Sequence, residues 1–467
     1  MIRGVPRRPN RDPGRQPVQP KRRALARAVG GALLVSATSL AAREASEPVA
    51  PPAASRGEVA LPTGVAIDSA PRPASAAQPF CSFVRPVCVQ AAGNDGGALA
   101  ALDALEQAYE RIVLALGLPE PLPDGLLGGS AALDAYLVPA DRAFSSSADP
   151  PLAGPFARAS TFCRLPATRD PFLMQRAATL CVAEAVANAL DSAETPGLRR
   201  GFGTFLWWVT GLPTALDFEA IDDVQRHPER PIAGRELSEQ SEGSALFFEY
   251  LEHALGVAGP ADLAASLFAA AASPRPAGLH YDNEPDLFDV LRHTLDSNRF
   301  RFARLMSDFA VSRAFVGSRE DGLHLPMMRW AGAFGRPRFD WVIPFSSLPR
   351  RVAVKPPIDS TGTVLVWLEL DALPERTSLG FQAEWEAPVT FDWQLVRLGP
   401  NGEELGRVAV PFEERGTSVE ATIGHLGGVS AVLAVGTNLE TVELAHPFDP
   451  DVSPYEPHGV TLYFAKL

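Results

Sequence analysis

Apolar residues at Leu99, Leu102, Leu105, Tyr109, Ile112 and Leu116 recur every three or four positions, and Gly117 and Pro119 end the run. That spacing predicts a helix with one face turned to a core. Leu133–Val138 and Ser160–Leu165 read as short strands beside it. From Asp170 the helical period returns, predicting helices over Pro171–Leu190, Gly201–Val209, Ser244–Leu255, Ala261–Ala271, Glu284–Leu295 and Arg299–Phe315. After Gly335 the period falls to two, as in Val364, Val366, Leu368 and Leu370, and again in Phe391, Trp393 and Leu395. Asn401 and Gly402 supply a hairpin turn, and Thr417–Ile423, Ser430–Gly436 and Gly459–Phe464 continue the strand pattern. About seven or eight short strands within about 125 residues predict an antiparallel β-sandwich. The fold class expected is α+β, a mostly helical domain with a small sheet over 81–335 and a β-sandwich over 336–467.

The N-terminal stretch follows neither pattern. Its first 41 residues hold nine Lys or Arg against one Asp, then an apolar run from Ala28 to Leu40 that ends in small residues. This is the composition of a signal peptide, and the run is too short and too rich in Ala and Gly for a lasting membrane span. Residues 42–80, dominated by Ala, Pro and Ser without an apolar period, read as a disordered linker. Removing the basic leader takes the net charge from −13 to about −21, which makes nucleic acid and anionic membrane poor partners. The destination expected is secreted, periplasmic or cell-envelope, and the partner expected is a protein or envelope component.

Four cysteines follow the leader, in a compartment where disulfides persist. Cys81 with Cys88, straddling Pro86, and Cys163 with Cys181 are the expected bridges, and other pairings stay open on sequence alone. There is no CxxC and no His near either pair, so a zinc ribbon is not indicated.

The segment with chemical interest is the helix around Cys181, which continues Val182, Ala183, Glu184, Ala185, Val186, Ala187. Its form resembles the HExxH helix of secreted zincin-like bacterial metallopeptidases of the gluzincin type. In such a helix two His one turn apart hold Zn²⁺ and the Glu between them polarises the bound water. The order of elements is similar as well: an exported leader, an amphipathic helix, strands, the motif helix, then a helix that carries a glutamate ligand. In this chain that last helix matches Phe202, Gly203, Thr204, Phe205, Leu206 and Trp207. The resemblance implies a zincin-like domain whose ligand positions hold Ala183, Ala187 and Phe202, none with a donor atom, so that only Glu184 survives and no zinc is bound. Without the resemblance, Ala183 to Ala189 is an Ala-rich helix packed closely on its neighbours, with Glu184 facing solvent or capping.

Other chemistry is thin. Glu249 with His253, and Asp289 with His293, stand four residues apart on predicted helices and are weak metal candidates that lack a third ligand. The acidic run from Tyr281 to Asp286 has no calcium-loop spacing and reads as a helix cap. No GxSxG, SxxK or phosphate loop occurs, and no cofactor is expected. The function expected is that of an exported, catalytically inactive metallopeptidase-like protein with a binding or envelope-structural role. An active secreted hydrolase of unrecognised type and a purely structural envelope protein are the alternatives.

Overall fold

The computed structural model describes residues 65–66, 71–76, 78–91, 95–149, 156–232, 240–256, 259–272, 280–281, 283, 285–295, 300–371, 373–386, 389–412, 416–439 and 457–467. The signal peptide over 1–41 and most of the linker over 42–80 lie outside them. The linker nevertheless ends earlier than expected. Arg72 donates to Asp149 and Asp134 at 2.7 Å, pairs with Asp124 at 2.7 Å, and stands 5.0 Å from the centre of the Phe162 ring. Three buried carboxylates thus anchor a segment whose composition alone reads as unstructured, because one cation among them offsets their burial.

The first domain contains a mixed five-stranded sheet of β1 (Phe80–Cys81), β2 (Val87–Gln90), β3 (Leu133–Val138), β4 (Ser145–Ala148) and β5 (Thr161–Pro166). The spatial order is β1-β2-β3-β5-β4, with β2, β3 and β5 parallel and the two edge strands antiparallel to their neighbours. Helix α1 (Asp95–Tyr109) crosses from β2 to β3. Of the expected row, Leu105, Tyr109 and Ile112 are buried and Leu102 and Leu116 pack against the core, whereas Leu99 is exposed. Ala98, Ala101 and Ala108 join the buried face and widen it, their small side chains allowing close packing.

Helix α2 (Pro171–Leu190) is capped by Asp170, whose side chain accepts from Phe172 and Leu173, and it is buried along almost its whole length. α3 (Pro196–Thr210), α4 (Ala215–Arg226), α5 (Ala245–Leu255), α6 (Asp262–Ala271), α7 (Leu287–Leu295) and α8 (Phe300–Arg313) follow. Both expected disulfides are formed, Cys81–Cys88 between β1 and β2 and Cys163–Cys181 between β5 and α2. Among the described residues no helix is long and apolar enough to cross a membrane.

The second domain consists of β6 (Trp341–Pro344), β7 (Arg350–Ala353), β8 (Thr363–Glu369), β9 (Leu379–Trp385), β10 (Phe391–Leu398), β11 (Glu404–Val408), β12 (Ser418–Ile423), β13 (Ala431–Asn438) and β14 (Val460–Lys466). They form two sheets, β11-β10-β13-β8-β6 and β12-β9-β14-β7, antiparallel except for the β6·β8 pair. Val364, Val366, Trp393 and Leu395 of one sheet and Phe381, Leu462 and Phe464 of the other share one apolar cluster.

Helix α8 joins the two domains. Phe302, Met306 and Phe309 enter the helical core, whereas Ala310, Val311, Ala314 and Phe315 pack on Leu365, Val396, Leu433 and Val435 of the five-stranded second sheet. Polar contacts close the joint. The His324 ring stacks on Phe315 at 3.9 Å, with Nδ1 3.0 Å from Asp321 and Nε2 2.8 Å from Glu404.

Burial disfavours charge on His324, but its hydrogen bonds and attraction to Asp321 and Glu404 outweigh that and raise its pKa above 6.5. Burial likewise opposes charge on Glu404, and the bonds from His324 and Arg407 hold it down at about 2. A raised histidine contributes fully below its unfolded value and loses that contribution as pH rises through the folded one. Stability against urea, followed between about pH 5 and about pH 9, is therefore expected to fall on the alkaline side, and His324→Gln to remove that part of the pH dependence. An identical slope in the variant would contradict the assignment.

Candidate functional site

Two faces of α2 are set by what they meet. Cys181, Glu184 and Asn188, three and four residues apart, face the sheet: Cys181 is bridged to Cys163, Asn188 donates to Thr161 at 2.9 Å, and Glu184 meets Ser146 of the edge strand β4. Ala183 and Ala187, one turn apart, share the next face, toward α3. There the neighbour is Gly203, where a Cβ would lie 3.7 Å from that of Ala183 and 3.5 Å from Glu184 Cγ. Gly201 brings α3 still nearer the start of α5, since a Cβ on it would stand 2.7 Å from that of Ser244. The closest approach of α3 is therefore to α5, and its seam with α2 at Gly203 is an ordinary van der Waals contact.

Glu184 is neither solvent-facing nor a helix cap. It is 6% exposed and its two oxygens accept from Ser146 Oγ and Arg200 Nε, while the Arg200 guanidinium lies 4.9 Å from the centre of the Phe144 ring. Arg200 Nη1 reaches Glu242 at 3.5 Å, Glu242 accepts from Arg176 at 2.6 Å, and Arg176 donates to Asp217 at 3.0 Å. The charges alternate along the row, so each buried ion is compensated by the next. Asp217 completes it by accepting from Trp207, Trp208 and the backbone and hydroxyl of Thr214. Arg200 Nη2 is the buried donor of the row without a hydrogen-bond partner among the described residues.

Phe202 stands elsewhere. Its ring packs against Phe268 at 4.8 Å and Phe248 at 5.7 Å, inside the aromatic core formed with α5 and α6. The α3 residues that meet Ala183 and Glu184 are Gly203 and Arg200. What the arrangement provides is a closed ion pair beside fully buried Ala183, Ala187 and Phe202, whose side chains carry no oxygen, nitrogen or sulfur donor.

The two acid and histidine pairs are not assembled into sites. Asp289 is bound by Arg292 at 2.9 Å, and His253 and His293 are exposed. Glu249 is buried, and burial followed by the nearby charge of Glu252 pushes it up to about 7. Among the described residues no three His, Cys, Asp or Glu side chains are placed to share a metal ion. A cluster that the sequence reading missed, Asp191, Glu194 and Asp286, joins the α2–α3 turn to the start of α7. Asp191 accepts from Ala193, Glu194 from Thr195 and Leu287, and Asp286 from Asp289. Burial and then repulsion from Glu194 raise Asp191, and burial and then the charge of Asp286 take Glu194 up to about 7. Asp286 thereby fulfils the capping expected of the acidic run, of which Asp282 and Glu284 lie outside the described residues.

Arg200 and Ser146 were also missed. Arg200 lies in a helix that is otherwise apolar on its buried side, and an arginine there calls for a carboxylate partner. Ser146 belongs to a Ser-Ser-Ser-Ala strand that carries no hydrophobic period.

No family model matches the chain, and no curated protein matches it. Among solved structures, the pre-peptidase C-terminal domain of collagenase from Bacillus anthracis is similar at 11% identity, over 28% of this chain and 98% of that one, with a TM-score of 0.18. The enzymatically active domain of tailspike protein 4 from bacteriophage CBA120 is similar at 12% identity, over 25% of this chain and 15% of that one, with a TM-score of 0.16. Likenesses of this size carry no argument about fold or function.

If the seam is filled rather than vacant, restoring histidines must disturb it. The double substitution Ala183→His with Ala187→His is expected to destabilise the protein by about 1–3 kcal/mol through overpacking, whether or not zinc is added to the urea titration. A midpoint that recovers with zinc would mean that a metal-sized space persists there.

Proposed function

We propose that this chain is an exported, catalytically silent protein in which a zincin-like metallopeptidase scaffold, followed by a β-sandwich, has lost its metal site and serves in binding or in envelope architecture. The observation that carries the proposal is the state of Glu184. The carboxylate that would act as general base in an HExxH helix is tied to the Arg200 guanidinium and the Ser146 hydroxyl, so its lone pairs are directed at those donors. The flanking alanines offer no ligand, and without a metal no bound water has its pKa lowered toward neutrality.

Further support comes from the order of elements, an amphipathic helix and a mixed sheet before α2 and a helix directly after it. The two disulfides suit an oxidising destination. A second reading, a purely structural envelope protein, is favoured by the place of Phe202, which is turned into the aromatic core instead of toward Ala183 and Ala187. Both readings agree that there is no peptidase centre on α2.

The test is elemental mass spectrometry of the purified protein together with a casein digestion. Zinc far below one equivalent per chain and no cleavage are the expected results. Stoichiometric zinc with cleavage abolished by a chelator would overturn the proposal.

A further inference from the structure

The outer face of the four-stranded sheet β12-β9-β14-β7 carries a groove whose construction the fold does not demand. Along β9 and β14, Phe381, Ala383, Leu462 and Phe464 point into the core, so Gly380, Gln382, Tyr463 and Ala465 point out. The register aligns two outward rows across the strands: Glu420, Gln382, Tyr463 and Arg351 in one, Thr422, Gly380 and Ala465 in the next. The second row has no side chain at its centre. A groove of about 420 Å³ opens there, with Tyr463, Ala465 and Leu467 on one side and Glu420 and Thr422 on the other.

Gly380 is the informative residue. It lies inside a central strand, where glycine weakens the strand by leaving nothing to pack. Its φ is not in the left-handed region, and a Cβ there would first meet the flexible end of Leu467 at 3.4 Å. Neither the backbone nor the packing requires glycine, and what it achieves is an open floor. Beside that floor Tyr463 is 39% exposed on an inner strand of the sheet. The chemistry around it is that of uncharged polyol recognition, in which an aromatic wall takes the C–H face of a sugar ring and amide, hydroxyl and carboxylate groups meet its hydroxyls.

Charge narrows the class. Arg351, the cation in the outward row, donates to Glu384 at 2.5 Å, and Gln382 donates to the other oxygen of Glu384 at 3.2 Å. Among the described residues the face therefore offers acceptors, and its row's cation, Arg351, is committed to Glu384. Its apolar lining is Phe381, Ala421, Tyr463, Ala465 and Leu467, of which Phe381 is buried, small for the core of a protein interface.

We propose that this groove binds a short stretch of a neutral glycan chain. The inference does not rest on the metallopeptidase-like reading, because the groove belongs to the other domain.

The experiment is calorimetric titration of the full chain with cellohexaose, maltohexaose, mannohexaose and chitohexaose, with heparin as the anionic control. At least one neutral hexamer is expected to bind. Tyr463→Ala should weaken that binding by about tenfold or more. Gly380→Val fills the floor with a good strand former, so it should abolish binding while the melting temperature stays level or rises. Failure of all four hexamers to bind, binding that survives Gly380→Val, or tighter binding of heparin than of any neutral hexamer would each overturn the proposal.

Discussion

A carboxylate carried into the middle of a buried helix must be neutralised, and the requirement set by Glu184 organises much of the first domain. α2 is apolar on nearly all sides, so it lies between a sheet and a bundle with no face left for water. Glu184 then needs donors from both neighbours, and it receives Ser146 from the edge strand and Arg200 from α3. Arg200 in turn needs Glu242, Glu242 is shared with Arg176, and Arg176 needs Asp217. Removing one member leaves its partner buried and uncompensated, which costs more than the pair itself contributes. The disulfide from Cys163 to Cys181 fixes the same helix to the same sheet one turn away, so covalent and ionic constraints hold α2 at one height.

The small-residue seam follows from the same packing. Ala183 on α2 meets Gly203 of α3 at van der Waals distance, and both Ala183 and Ala187 are fully buried and bring no donor atom. An active metallopeptidase helix needs the opposite, a cavity with donor atoms directed into it. The β-rich second half is joined to the helices through α8 and the His324 contacts.

Long periodic segments were legible in the sequence. Pro171–Leu190 and Leu133–Val138 have the bounds that their periodicity implies, and Asn401 and Gly402 do turn β10 into β11, with Gly402 at a φ of 83°. Both cysteine pairs were legible because local spacing favours them. What escaped has a common cause. β4 is made of serines, α1 leaves Leu99 exposed while Ala98 and Ala101 are buried, and Arg72 sits in a Pro and Ala stretch, so in each case distant partners decide the structure. The site was half legible: Glu184 stood out by its motif, but nothing local identifies Arg200 or Ser146 as its partners, and the position of Phe202 depends on aromatic rings from α5 and α6.

The most direct measurement is a double-mutant cycle in urea on Glu184→Gln and Arg200→Met, singly and together. A closed ion pair predicts a favourable coupling of about 1–3 kcal/mol, with the double variant more stable than the sum of the single losses implies. A coupling near zero would mean that Glu184 and Arg200 do not depend on each other, and the account of a carboxylate withdrawn from chemistry by its guanidinium would be contradicted.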